Sequence, residues 1–192
     1  MNFNLKDKRI ILASKSPRRH ELLKGLDLDF EVQLKEIDES YPSSMAAIEV
    51  PSYLAKKKAN AFRDQLKEST IIITADTIVI CKDEILEKPK SKEEAISMIQ
   101  KMSGETHTVV TGVSIQSIDK SHTFSDHTEV TFAQLSDEEI NYYVDKYRPY
   151  DKAGAYGVQE WIGYVGIVRL EGSYFNVMGL PVHKVYEVLK HF

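Results

Sequence analysis

The run Thr70-Ile71-Ile72-Ile73-Thr74-Ala75 narrows the possible folds of this chain more than any other stretch. Its apolar residues do not alternate with polar ones. A strand of that kind is expected at the centre of a sheet, covered on both faces. A second apolar run, Ile10-Ile11-Leu12-Ala13, predicts a strand at about 9–14. Further strands are expected at 28–34, in a hairpin of 78–80 with 85–86, at 106–118, at 121–133 and around 163–171. Helices are expected from Pro17 onward, over 51–67, after a Ser91 cap to about 102, after a Ser136 cap to about 147, and over 181–191. Glu94 and Glu139 stand three residues after their serines, as in a capping box. Intermingled strands and helices predict an α/β fold, and the central hairpins make the sheet mixed rather than all-parallel.

A chain of 192 residues suits a single domain spanning 1–192, with room for two lobes. The formal net charge of −4 argues against a general nucleic-acid binder, though not against a small anionic ligand. Local charge decides such binding, because salt screens beyond about 8 Å. One cysteine, Cys81, leaves no intrachain disulfide, and no Cys/His metal spacing occurs. The first residues, MNFNLKDKRI, lack the apolar core of a signal peptide, and no apolar run is long enough to span a membrane. The expected compartment is the cytoplasm, with no membrane partner.

Several polar residues stand where structure alone does not ask for them. Ser14-Lys15-Ser16-Pro17-Arg18-Arg19 joins the first strand to the first helix. Ser16 reads as the N-cap and Pro17 as the first helical residue. Arg18 and Arg19 then occupy the first turn, where the helix dipole is already positive and a cation loses roughly 0.3–1 kcal/mol. An anion reverses that sign. Backbone N–H groups, the Ser14 and Ser16 hydroxyls and two guanidinium groups are donors suited to phosphate oxygens. The alternative is a surface turn with solvated arginines.

On the helix expected at 51–67, Leu54, Ala55, Ala59, Phe62 and Leu66 share a face, and Lys58 falls inside that stripe. Such a lysine either snorkels past the core edge or reaches a buried anion. Asp76 follows the apolar strand, where ligands gather in α/β sheets, or else merely starts a turn. Lys88 lies at the far end of the hairpin that Asp76 opens, so the two are expected to be neighbours. Glu39 is either a magnesium ligand or an exposed loop residue; Mg²⁺ takes one or two protein carboxylates plus phosphate and water. Lys152 and Gln159 sit in a small-residue loop that lets a ligand approach the backbone, or that simply turns tightly. The six histidines show no metal-ligand spacing. Trp161 and the tyrosines at 142, 143, 147, 150 and 156 read as core or interface. No Walker A or G-x-G-x-x-G pattern is present.

In order along the chain, Leu12-Ala13-Ser14-Lys15-Ser16-Pro17-Arg18-Arg19, Ile37-Asp38-Glu39, Lys58-Ala59, Ala75-Asp76-Thr77, Glu87-Lys88-Pro89, Ser103-Gly104, His107 and Thr111-Gly112-Val113 form one series. It continues through Asp151 to Gln159, Gly172-Ser173-Tyr174, Asn176 and Gly179-Leu180-Pro181. The series resembles the Maf family of nucleoside triphosphate pyrophosphatases, and it runs from residue 12 to 181. The resemblance implies an inosine triphosphatase-like fold: a long mixed sheet flanked by helices, two lobes around a cleft, often as a homodimer. It implies cleavage between the α and β phosphorus atoms, giving a nucleoside monophosphate and pyrophosphate, with a divalent cation such as Mg²⁺ or Mn²⁺. In family terms Asp76 matches the proton acceptor. Arg18, Thr77 and Gln159 match positions tied to nucleotide choice. Ser14, Arg19, Glu39, Lys58 and Lys88 match other active-site positions.

The branch of the family that prefers 7-methyl-GTP carries Trp after the Ser-Pro of the first motif, Asp-Gln for Asp-Thr, and Gly-Lys-Pro for Glu-Lys-Pro. This chain has Arg18, Thr77 and Glu87, and so resembles the branch acting on dTTP and UTP, with modified uridine forms such as 5-methyl-UTP or pseudo-UTP. Two departures from the family pattern flank the site. Glu160 and Trp161 follow Gln159 in place of small residues, and Arg148 precedes Pro149 in place of an acidic one.

The implied chemistry is a triphosphate lying across the turn at 14–19. Arg19, Lys58 and Lys88 neutralise its oxygens, the cation is shared with Glu39 and Asp76, and Asp76 orients or deprotonates water. The rival readings are a non-catalytic nucleotide-binding regulator linked to cell division and a phosphomonoesterase releasing orthophosphate.

Overall fold

The computed structural model describes residue 5 and residues 7–192. Its sheet has seven strands: β1 (Arg9–Leu12), β2 (Glu31–Val32), β3 (Thr70–Cys81), β4 (Glu84–Leu86), β5 (Thr106–Gln116), β6 (Ser121–Phe132) and β7 (Ile167–Glu171). The helices are α1 (Pro17–Lys24), α2 (Val50–Asn60), α3 (Lys92–Met102), α4 (Asp137–Tyr147), α5 (Trp161–Gly166), α6 (Tyr174–Met178) and α7 (Val182–Leu189). The strand order is β2-β1-β3-β5-β6-β7, with β4 paired to β3. β1 is parallel to β2 and β3, while β3–β4 and β6–β7 are antiparallel. The fold is therefore α/β with a mixed sheet, and Ile71, Ile72 and Ile73 are at most 1 % exposed.

The chain divides into two compact units. One holds the chain up to Asp76 with Thr111–Asp126 and Gly179–Phe192; the other holds Thr77–Val110 and His127–Met178. In the first, Ile11 and Ile72 pack with Phe62, and Val182, Val185 and Leu189 give α7 its buried face. In the second, one cluster joins β-strand residues such as Val79, Val109, Val130 and Phe132 to Ile99 and Met102 of α3 and to Ile140, Tyr143 and Val144 of α4.

Four elements differ from the sequence expectation. The strand expected at 28–34 is only two residues long; both are exposed, so no apolar face drives it further. The helix expected to reach 67 stops at Asn60 and tightens into a short 3₁₀ turn, Arg63–Gln65, and Phe62 is buried just before that turn. The stretch at 163–166 belongs to α5, not to a strand. A side chain on Gly163 would come within 1.9 Å of the Val158 carbonyl oxygen, so this glycine lets the helix fold back on its own entry segment. Finally, the strand at 70–75 and the first arm of the hairpin are one continuous strand, β3.

That continuity relocates Asp76 from a strand end to a strand interior. β3 pairs with β1 from Thr70 to Ile73, and with β4 from Val79 to Cys81. Asp76 lies in the interval after one of these partners ends and before the other begins. The strand that does end near it is β1, whose pairing closes with the Ala13 N–H on the Ile73 carbonyl at 2.9 Å.

The caps mostly follow their sequence signals. Ser136 and Glu139 form a complete capping box on α4. On α3 only half of it forms. Ser91 accepts from the Glu94 N–H, but the Glu94 carboxylate accepts from Lys90 N–H at 2.7 Å.

Candidate active site

The turn after β1 takes the shape its residues dictate. Ser16 is the N-cap of α1, with its hydroxyl accepting from the Arg19 N–H, and Pro17 takes the first helical position. Ser14 is buried; its hydroxyl accepts the Ser16 N–H at 3.2 Å, and its carbonyl contacts the His20 ring at 2.7 Å. No acidic residue stands in the first turn.

Arg19 ties this turn to β3. Its Nη1 donates to the Ala75 carbonyl at 2.8 Å, and its Nε donates to the Gly179 carbonyl at 2.8 Å. Both acceptors are neutral backbone groups, so the guanidinium charge is not cancelled by them. Burial pushes the Arg19 pKa down, Asp76 and Glu39 pull it back up, and Arg18 adds to the depression. Arg19 thus fixes the backbone immediately before Asp76 while keeping its positive field beside that carboxylate.

Lys58 supplies the second cation. It sits on the buried stripe of α2 with Leu54, Ala55 and Ala59, and its side chain is 17 % exposed. It does not snorkel into solvent. Its Nζ lies 2.5 Å from Asp76 Oδ1 and 3.3 Å from Glu39 Oε1. Asp76 is 14 % exposed at its side chain; Glu39 is 57 % exposed. Lys57, one residue earlier, turns the other way and pairs with Asp38 at 3.2 Å.

Two carboxylates facing one ammonium form a donor set that also suits a divalent cation. Among the described residues no group of three His, Cys, Asp or Glu side chains is arranged to hold a metal. An all-protein cage is not required for Mg²⁺, which completes its shell with substrate phosphate and water. Asp76 and Glu39 fit that requirement.

The first unit therefore brings together Ser14, Ser16, Arg19, Glu39, Lys58 and Asp76, with Arg18 half-buried on the same turn as Arg19. The ion partner of Asp76 is Lys58. Thr77, Lys88 and Gln159 belong to the second unit. Thr77 is half-buried and follows Asp76 on β3, and Lys88 is exposed, two residues beyond β4. The side-chain oxygen of Gln159 is buried with no hydrogen-bond partner among the described residues. Lys152 is 8 % exposed and pairs with Asp151 and Glu160.

Sequence reasoning leaves three contacts out. Nothing local marks the Gly179 carbonyl as an acceptor for Arg19, 160 residues away. The contact of the His20 ring with Ser14 is visible only as a histidine in the first turn of the helix. Tyr143 reads as a core or interface residue, yet its hydroxyl is bonded to Glu160 and to the Gly157 N–H.

Comparison with known proteins adds an independent line. The family model described as Maf-like protein matches residues 9–192. A dTTP/UTP pyrophosphatase of Parabacteroides distasonis is 54 % identical over 190 residues, covering 98 % of each chain. One from Porphyromonas gingivalis is 55 % identical over 192 residues, covering 98 % of this chain and 96 % of its own. One from Flavobacterium johnsoniae is 52 % identical over 185 residues, covering 96 % and 95 %. Among solved structures, the Staphylococcus aureus Ham1 protein matches with a TM-score of 0.49 at 17 % identity, over 66 % of this chain and 72 % of its own. The α/β architecture stands on the strand order itself.

Proposed function

The chain belongs to the Maf family, and on that premise we propose that it hydrolyses dTTP and UTP to the nucleoside monophosphate and pyrophosphate, a house-cleaning role in the nucleotide pool. One observation carries the reading. The first turn of α1, with its serine hydroxyls and arginines, is bonded through Arg19 to the residue next to Asp76, whose carboxylate already faces a half-buried lysine. A strongly anionic substrate and a carboxylate able to handle water are thereby provided for in one place.

The chain's own groups then divide the work. The helix start, with Ser14, Ser16 and Arg18, presents N–H and O–H donors to phosphate oxygens. Arg19 and Lys58 supply positive charge, and Lys88 is assigned the same task on the family resemblance. Asp76 orients a water molecule and accepts its proton as that oxygen attacks the α-phosphorus. The bond from that phosphorus to the bridging oxygen breaks, and pyrophosphate departs. Lys58, bonded to Asp76 in the resting site, holds the carboxylate in place. Charge stabilisation and positioning suffice for such a transfer without a covalent intermediate. Glu39 and Asp76 would hold a divalent cation, Mg²⁺ or Mn²⁺, which would supply further neutralisation of the triphosphate. Arg18, Thr77 and Gln159 are the residues assigned to nucleotide choice.

The proposal extends to 5-methyl-UTP and pseudo-UTP as substrates, to a cytoplasmic setting and to a homodimer, with no nucleic-acid or membrane partner. The net charge of −4 supports the exclusion of nucleic acid. Among the described residues no helix is long and apolar enough to cross a membrane.

The test is a panel of dTTP, UTP, 5-methyl-UTP, pseudo-UTP, CTP, GTP and 7-methyl-GTP, with pyrophosphate and orthophosphate both measured, in Mg²⁺, Mn²⁺ or chelator. Pyrophosphate from dTTP and UTP, lost on chelation, is expected. Tight binding without turnover would favour a nucleotide-binding regulator of cell division. Orthophosphate release would point to a phosphomonoesterase.

A further inference from the structure

A charged network in the second unit takes no part in the chemistry above. Lys152 is buried and pairs with Asp151 at 2.8 Å and with Glu160 at 3.0 Å. The other Glu160 oxygen accepts the Tyr143 hydroxyl of α4, and the Tyr143 oxygen accepts the Gly157 N–H at 3.0 Å. Burial, reinforced by Glu160, raises the Tyr143 pKa far above the ordinary phenol range, so the group stays a neutral donor. A Cβ on Gly157 would meet Glu160 Cδ at 2.8 Å and Oε2 at 2.9 Å. The loop is therefore folded around this carboxylate, which occupies the space that a side chain at 157 would need.

Gln159 is the residue immediately before Glu160, and its Oε1 is the buried acceptor without a partner among the described residues. Buried amide oxygens are nearly always paired, so this one is free to accept a hydrogen bond from a donor outside the described residues. Uracil and thymine carry an N3–H. Cytosine has a lone pair at that position. A primary amide that can rotate would offer its NH₂ to cytosine equally well. Discrimination then depends on the amide being held, and the next residue in the chain, Glu160, is itself tied at its carboxylate to Lys152 and Tyr143.

We propose that Glu160, anchored by Lys152 and Tyr143, is a positioning residue that holds the Gln159 amide oxygen toward the N3–H of a uracil or thymine base. This rests on the dTTP/UTP reading above and deepens it. It also gives a physical sense to a glutamate standing where the family resemblance leads one to expect a small residue.

The experiment compares wild type, Glu160→Gln and Tyr143→Phe in kcat and KM for UTP and CTP, in UMP and CMP binding by calorimetry, and in melting temperature. Both variants are expected to lose about tenfold or more of the UTP-over-CTP preference in kcat/KM through KM, with kcat for UTP within about twofold. The UMP-over-CMP binding ratio should fall in parallel. An unchanged preference in both variants, with or without a lower melting temperature, overturns the proposal; if Glu160→Gln does not fold, Tyr143→Phe decides it. A wild type that prefers UMP yet releases no pyrophosphate would sink the pyrophosphatase reading alone. The binding ratios of the variants would still decide the positioning role. A wild type without preference for UMP over CMP would overturn it.

Discussion

Replacing Asp76 by Asn removes a charge while keeping its volume, and the amide oxygen can still accept from Lys58. The variant should fold, and its pyrophosphate release should fall by about 10²–10⁴-fold, the usual value of a general base; a wild-type rate would remove Asp76 from the mechanism. Lys58→Met keeps the apolar stem on the α2 stripe and deletes the ammonium. It leaves Asp76 and Glu39 without their shared cation, a loss of about 2 kcal/mol, between the exposed and buried cases. Urea unfolding should show that loss, and kcat/KM should fall alongside. Lower stability with normal kinetics would reduce Lys58 to a structural ion pair. Lys58 is legible in the sequence because the helical period is a local rule: it falls between Leu54, Ala55 and Ala59 whatever the rest of the chain does. Its partner is not legible that way, since 18 residues and a change of element separate Lys58 from Asp76.

At the scale of elements, α2 is seated against β5 at one glycine. A Cβ on Gly112 would come 2.2 Å from the Pro51 carbonyl carbon and the Ser52 nitrogen, both backbone atoms that cannot rotate away. Gly112→Ala should therefore displace the start of α2, with a stability loss of about 3 kcal/mol by denaturant titration and a fall in activity as Lys58 moves with its helix. The reverse case is the end of α4. Arg148 caps that helix in the left-handed region, φ 46°, where a side chain is strained and glycine is not. Arg148→Gly should stabilise by about 1 kcal/mol, a rise of about 2–4 °C in melting temperature for a chain of this size. The caps of α1 and α4 are readable from Ser16-Pro17 and Ser136–Glu139 because a cap involves only neighbours. The two strands expected at 70–80 merge into β3 because strand continuity is set by what pairs alongside, and β1 and β4 take over different parts of it.

At the scale of the whole molecule, acid should act first through His107. The ring is 1 % exposed and bonded to the Tyr156 hydroxyl at 2.7 Å, with Phe132 packed edge-on. Burial lowers its pKa to about 4. The unfolded chain, with an ordinary value near 6.5, binds the proton more readily. His107 therefore contributes stability that is complete above about pH 6.5 and is lost as the pH falls from there toward 4, about 3 kcal/mol in all. Urea midpoints measured between pH 7 and pH 4.5 should drop accordingly, and His107→Gln should flatten that part of the profile. An equal drop in the variant would assign the acid sensitivity to other groups.

By itself the sequence determined the class of fold, the capped helices, the turn at 14–19 with its two arginines and the lysine on an apolar stripe. Each follows from chemistry acting over one or two turns of chain, where spacing alone says which groups meet. Only the tertiary structure decided that Arg19 braces the backbone beside Asp76, that Lys58 is shared by two carboxylates, and that Glu160 is locked between Lys152 and a tyrosine of α4. These contacts join residues far apart in the chain, and they form because burial leaves a charged or polar group no water and so obliges it to find a partner wherever packing has placed one.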